Sequence, residues 1–201
     1  MKASLWFIGV GSFLLVGLLL MGRQVLSGGY TFQGSLIDPP APAADFALRD
    51  QNGEVFRLSD QKGKVVLIFF GYTHCPDVCP ITLTDFKRIK DELGDLAVEV
   101  RFVLITVDPE RDTVERLRNY LPGYDPSFYG LTGERAQLEK VWRSYGVYQA
   151  GQEAEGEAGY EVEHTARIYA IDKHGSWRLT YPLEMGRKAV IEDVRHLLKE
   201  N

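Results

Sequence analysis

The most continuous apolar run in the second quarter of the chain is Lys64-Val65-Val66-Leu67-Ile68-Phe69-Phe70, which reads as a strand covered on both faces. Val98 to Val107 begins by alternating and then turns apolar, and it reads as a second strand. Between them Ile81, Leu83, Phe86, Ile89 and Leu93 recur at helical spacing before Gly94, which predicts a helix over 81–93. Strand, helix and strand in this order predict a right-handed parallel crossover. Asp112-Thr113-Val114-Glu115 reads as the start of a second helix running to Tyr120, with Asp112 as cap and Pro122-Gly123 as its end. A third helix over 134–145, a hairpin joining 167–172 to 177–181 through Lys173-His174-Gly175, and an amphipathic helix over 187–199 complete the pattern. The expected fold class is α/β, a mixed sheet flanked by helices, with Phe69, Phe70, Phe102 and Trp142 in the core.

Two segments depart from this pattern. Residues 3–22 carry no charge, and as a helix rising about 1.5 Å per residue they reach about 30 Å, the thickness of a bilayer's hydrocarbon core. Residues 1–23 are therefore expected to be a membrane anchor, with the amino terminus and Lys2 favouring a cytoplasmic N-terminus and an exported remainder. An uncleaved signal is the related reading; Arg23 to Gly29 offers only a weak cleavage site. Residues 24–44, rich in Gly, Pro and Ala, are expected to be a flexible tether, and 45–201 to be one domain. Within that domain Ala150 to Glu163 is acidic and glycine-rich, and is expected to be a mobile loop.

A formal charge of −5 without a basic cluster argues against nucleic acid as a partner. The chemistry concentrates elsewhere. The chain has two cysteines, and they lie together in Gly71-Tyr72-Thr73-His74-Cys75-Pro76-Asp77-Val78-Cys79-Pro80, where the first strand passes into the first helix. Helical i, i+4 spacing would place both thiols on one face, about 6 Å apart at Cα, within reach of a shared metal or of a disulfide. A bridge closing so short a loop would stabilise the fold by only about 2 kcal/mol, which makes a staple a poor use of the pair. At a helix start the free amides and the dipole favour thiolate, the form that binds soft metals and attacks disulfides.

Two thiolates alone suit Cu(I), whereas Cu(II) needs a nitrogen or oxygen donor as well. Four histidines are available. His74 adjoins Cys75 and would direct its ring elsewhere, His174 lies in the hairpin turn, and His196 lies in the last helix. His164 closes the acidic segment and precedes a strand, a junction that a sheet of this order can bring close to the cysteine turn. Spacing alone leaves it open between a ligand and a hydrogen-bonded surface residue.

The cysteine segment, with Thr106-Val107-Asp108-Pro109-Glu110-Arg111-Asp112-Thr113 and Val162-Glu163-His164-Thr165 downstream in the same order, resembles the Sco (synthesis of cytochrome oxidase) family, also called SenC, across nearly all of 45–201. Glu163 and Thr165 stand where the family more often has Asp and Ser, and they keep the charge and the hydroxyl. The resemblance implies a thioredoxin-like domain, membrane-tethered and facing the periplasm, that binds one copper through Cys75, Cys79 and His164 with Asp77 near the site. It further implies assembly of the binuclear copper centre of cytochrome c oxidase, by copper delivery, by reduction of the target's cysteines, or by both. Partners would be the oxidase's copper-bearing subunit and another copper chaperone or a thiol reductant. The alternative is a metal-free thiol-disulfide oxidoreductase, which needs the cysteines but not His164. A thiol peroxidase fits less well, because Tyr72 stands where such enzymes carry threonine.

Overall fold

A computed structural model describes residues 30–153 and 160–200. The chain divides into two compact units, Met1–Thr31 and Phe32–Asn201, and of the first only its last two residues are described. The expected anchor at 1–23 lies outside the described residues. Among the described residues no helix is long and apolar enough to cross a membrane.

The second unit is built on a six-stranded mixed sheet. Its strands are β1 (Ser35–Pro42), β4 (Val65–Gly71), β5 (Val100–Thr106), β6 (Tyr129–Leu131), β9 (Arg167–Ile171) and β10 (Ser176–Pro182), in the order β1-β10-β9-β4-β5-β6. The expected crossover is present: β4 and β5 pair in parallel from Val65↔Val100 to Gly71↔Thr106, joined by helix α1 (Val78–Leu93). The strand β9 pairs antiparallel to the other side of β4, and β9, β10 and β1 form an antiparallel extension. Two short hairpins stand apart, β2 (Ala47–Arg49) with β3 (Val55–Arg57) and β7 (Gln149–Glu153) with β8 (Tyr160–His164).

Helices cover both faces. Phe86 of α1 packs edge-on against Phe102 and Phe128 on one side, together with helix α4 (Arg187–Leu197). On the other, Tyr145 at the end of helix α3 (Arg135–Ser144) packs on Phe70 and Tyr169. Each of β4's seven residues is therefore buried, which accounts for its unbroken apolar run. Phe69, Phe70, Phe102 and Trp142 all lie in the core, as expected.

Several boundaries differ from expectation for local reasons. Helix α1 begins at Val78 rather than Ile81, since Pro80 falls in the first turn, where its missing N–H has no helical partner to lose. Residues Gly94–Glu99 form a 3₁₀ turn, so β5 starts at Val100. Helix α2 (Val114–Tyr120) is capped by Thr113, whose side chain accepts from the Arg116 amide, and not by Asp112, which is buried for another purpose.

Two expectations are corrected. The second half of the expected tether at 24–44 is β1, paired with β10 from Ser35↔Thr180 to Pro42↔Ser176. An edge strand exposed along its length needs only one row of partners and tolerates proline, so its composition imitates a linker. The segment is also held at its start: the amides of Gln33 and Gly34 donate to the buried carboxylate of Asp193 on α4. The expected mobile loop at 150–163 is mostly the β7–β8 hairpin, in register from Gln149↔His164 to Glu153↔Tyr160, with 154–159 outside the described residues. Tyr160-Glu161-Val162-Glu163-His164 does alternate with period two, a signal that the surrounding glycine and glutamate obscure.

Candidate metal centre

The site forms where β4 ends. Gly71 is its last residue, and a Cβ there would lie 2.9 Å from Cys79 Sγ and 2.7 Å from the Phe69 ring, so a side chain at this position would collide with the thiol. Six residues, Tyr72 to Asp77, then lead into α1. Cys75 therefore precedes the helix instead of sharing its face with Cys79 one turn away. The pair stays together because the Cys79 amide donates to Cys75 Sγ at 3.4 Å. Both cysteines are free, Cys75 partly exposed and Cys79 buried.

This placement separates the two thiols electrostatically. The Cys79 thiol donates to the Cys75 sulfur and the main-chain N–H groups of Cys79, Asp77 and Val78 point at it; together they outweigh partial burial and lower the Cys75 pKa to about 6. Cys79 moves the other way, because its proton is committed to the Cys75 sulfur and because it is buried. At neutral pH the pair is one thiolate and one thiol sharing a hydrogen bond.

His164 ends β8, 85 residues beyond Cys79 in the chain. Its Nε2 lies 3.9 Å from Cys79 Sγ. Its Nδ1 faces the Thr165 carbonyl at 3.2 Å, an acceptor that assigns the proton to Nδ1 and leaves the Nε2 lone pair on the side of Cys79 Sγ. Burial lowers the imidazole's pKa, with the Thr165 carbonyl partly offsetting it, which favours the neutral ring that can donate to a metal. The rings of Phe69 and Tyr72 meet it edge-on at 6.1 and 5.9 Å.

A soft thiolate, a second sulfur and a neutral imidazole nitrogen form a donor set suited to copper in either oxidation state. Metal–sulfur and metal–nitrogen bonds of about 2.3 and about 2.0 Å can together span about 4.3 Å, so the 3.9 Å gap admits an ion shared by Cys79 and His164. Among the described residues no three His, Cys, Asp or Glu side chains form a ready-made metal-holding group. The thiol proton between the sulfurs has to leave before both can donate to one ion.

The other sequence candidates fall elsewhere. Asp77 is exposed, its side chain caps nothing, and it reaches Cys75 only through its main-chain N–H. His74 turns its Nδ1 to the Thr73 hydroxyl at 3.2 Å and to the Asp112 carboxylate at 3.8 Å. The His174 amide donates to Asp172 in the hairpin turn, and His196 stacks edge-on against Phe32. Asp112 carries a role that spacing did not disclose: fully buried, it accepts from the Thr73 amide, from the Thr73 hydroxyl at 2.6 Å and from the Thr106 hydroxyl at 2.7 Å. It ties the cysteine loop to the end of β5, and its burial raises its pKa above the usual carboxylate value.

Known proteins resemble this chain over most of its length. The family model described as SCO1/SenC matches residues 36–199. The SCO2-like protein RP587 of Rickettsia prowazekii is 33% identical over 186 residues, 92% of this chain and 89% of its own length. The solved structure of Bradyrhizobium japonicum ScoI with copper bound is 39% identical and superposes with a TM-score of 0.72 over 79% of this chain and 100% of that one. Apo Sco1 from Thermus thermophilus, 35% identical, superposes with a TM-score of 0.75 over 86% of this chain and 100% of its own. The mixed sheet flanked by helices is consistent with the thioredoxin-like fold of Sco proteins. With the family model covering all but the first residue of the sheet and both the cysteine and histidine segments, the chain belongs to the SCO1/SenC family.

Proposed function

We propose that this protein takes up one copper ion as cargo through Cys75 Sγ, Cys79 Sγ and His164 Nε2, and serves assembly of the binuclear copper centre of cytochrome c oxidase. The observation that carries this reading is the approach of the His164 Nε2 lone pair to Cys79 Sγ at 3.9 Å, with Nδ1 anchored on the Thr165 carbonyl. Thiol-disulfide exchange can run on the two sulfurs alone, whereas a copper ion gains a third donor from this imidazole. The copper-bound relative from Bradyrhizobium japonicum supports the choice of ion, and the family's place in cytochrome c oxidase assembly supports the choice of partner, the oxidase's copper-bearing subunit. The apolar stretch at 3–22 supports a single-pass anchor in the cell's inner membrane, with the copper-binding domain on the periplasmic side.

A second activity of the same site is favoured by the asymmetry of its thiols. The Cys75 thiolate would attack one sulfur of an oxidised pair on the target, forming a mixed disulfide and releasing the first target thiolate. Cys79, after giving up its proton, would attack the Cys75 sulfur, closing a Cys75–Cys79 disulfide and releasing the second target thiol. Two electrons pass to the target, and an external dithiol returns the pair to its starting state.

Loading the full-length protein with Cu(II) and recording its electronic spectrum tests the copper reading. One equivalent of copper and a thiolate-to-copper charge-transfer band are expected, and His164→Ala should weaken binding sharply and alter the band. Full-strength binding by His164→Ala would remove the three-ligand model. If that variant also reduced an oxidised copper-site peptide at the wild-type rate without metal, the thiol-disulfide reading would stand in its place.

A further inference from the structure

The β7–β8 hairpin pairs only with itself, so something other than the main sheet must hold His164 against the cysteines. Tyr72 reaches all three candidate ligands. Its backbone N–H is hydrogen-bonded to the Cys79 sulfur, and its carbonyl accepts from the Cys75 amide at 3.4 Å. Its phenol oxygen accepts from the amide of Val162, the residue two before His164, in a buried bond of 3.2 Å. Its ring meets the His164 ring edge-on at 5.9 Å with an interplanar angle of 84°. The other flank of the ring is closed by the Arg111 guanidinium, 5.7 Å from the centroid and itself held by Asp108 at 2.5 Å. Tyr72 is 2% exposed, and the Val162 side chain is buried in the same core.

We propose that Tyr72 is a positioning residue for the copper site, a role that rests on the three-ligand reading: its hydroxyl fixes β8 to the cysteine loop, so that the His164 imidazole is presented to the sulfurs before the ion arrives. A side chain that hydrogen-bonds the strand carrying a ligand fixes that ligand's direction, as outer partners do in metal sites generally. Without the hydroxyl, the Val162 N–H is left buried and unsatisfied, and the hairpin regains its amide's partner only by moving out to water.

Tyr72→Phe tests this, because it keeps the ring, its packing and both main-chain contacts while deleting one oxygen. In the full-length protein, with copper alone as the probe and a chromophoric chelator as competitor, Tyr72→Phe is expected to lose about 10- to 100-fold in affinity. In a His164→Ala background the same change should alter affinity by no more than about twofold, since the ligand it positions is gone. In the apo protein the Val162 amide should exchange with solvent faster, while the amides of Ile68 and Leu104 keep their protection. Wild-type affinity in Tyr72→Phe would overturn the proposal, and so would an equal loss in the His164→Ala background, which would place the effect on the cysteines or the fold. Wild-type copper binding by His164→Ala alone would instead remove the three-ligand reading, and the exchange of Val162 would still report whether the hydroxyl holds the hairpin.

Discussion

Cys79 Sγ and His164 Nε2 lie 3.9 Å apart although 85 residues separate them in the chain. One arrives on the first turn of α1 and the other on the last residue of β8, and each is set by its own local partner, Gly71 beneath the sulfur and the Thr165 carbonyl behind the ring. The candidate centre is thus a meeting of two arms distant in the chain, joined where the Val162 amide donates to the Tyr72 hydroxyl.

Cys75 should be alkylated by iodoacetamide at neutral pH, with a rate that rises as pH increases through about 6 and then levels off, because its thiolate forms there. Cys79→Ala removes the largest cause of that depression, and the inflection should move up toward the ordinary thiol value of about 8.5. Copper affinity in the wild type should fall as pH drops through the same region, since protons then compete for the sulfur. Rate and affinity profiles that stay flat across about pH 5 to about pH 8 would contradict this assignment.

Gly71→Ala should destabilise the fold by about 1–3 kcal/mol, because its methyl would overlap the Cys79 sulfur and the Phe69 ring, neither of which has free volume to enter. Urea unfolding measures the loss. Copper affinity should fall with it, since relief of the clash displaces the thiol; a variant as stable as wild type would mean that β4 and α1 separate here at little cost.

Membrane fractions should retain the full-length protein after alkaline extraction, which strips peripheral proteins but not spanning helices. Deleting residues 1–22 should release it to the soluble fraction. Extraction of the intact chain by alkali alone would argue that residues 3–22 do not span the bilayer.

The elements that bury a large apolar face were legible in the sequence. The strand at 65–71, the helix spaced by Phe86, Ile89 and Leu93, and the parallel pairing of β4 with β5 all follow from periodicity, because each has to cover a broad surface. Elements held by a single row of hydrogen bonds were not: β1, with three prolines, and the β7–β8 hairpin, with its glycines and glutamates, have the composition of linkers and the pairing of strands. The same divide runs through the site. The two cysteines announced themselves by spacing and His164 by the family's motif, whereas Asp112 and Tyr72 act across 39 and 90 residues on Thr73 and Val162, and no local pattern marks such pairs.

Strand β1 joins the sheet at its outer edge, with β10 and β9 between it and β4. If the preceding segment is fixed in a bilayer, any pull on the domain acts first on the β1–β10 ladder and on the two amides clasped by Asp193. Those bonds can open like a zipper, one after another, while the strand that carries the cysteine loop feels no strain. A domain anchored in that way would hang by the part of the sheet whose loosening disturbs its chemistry least.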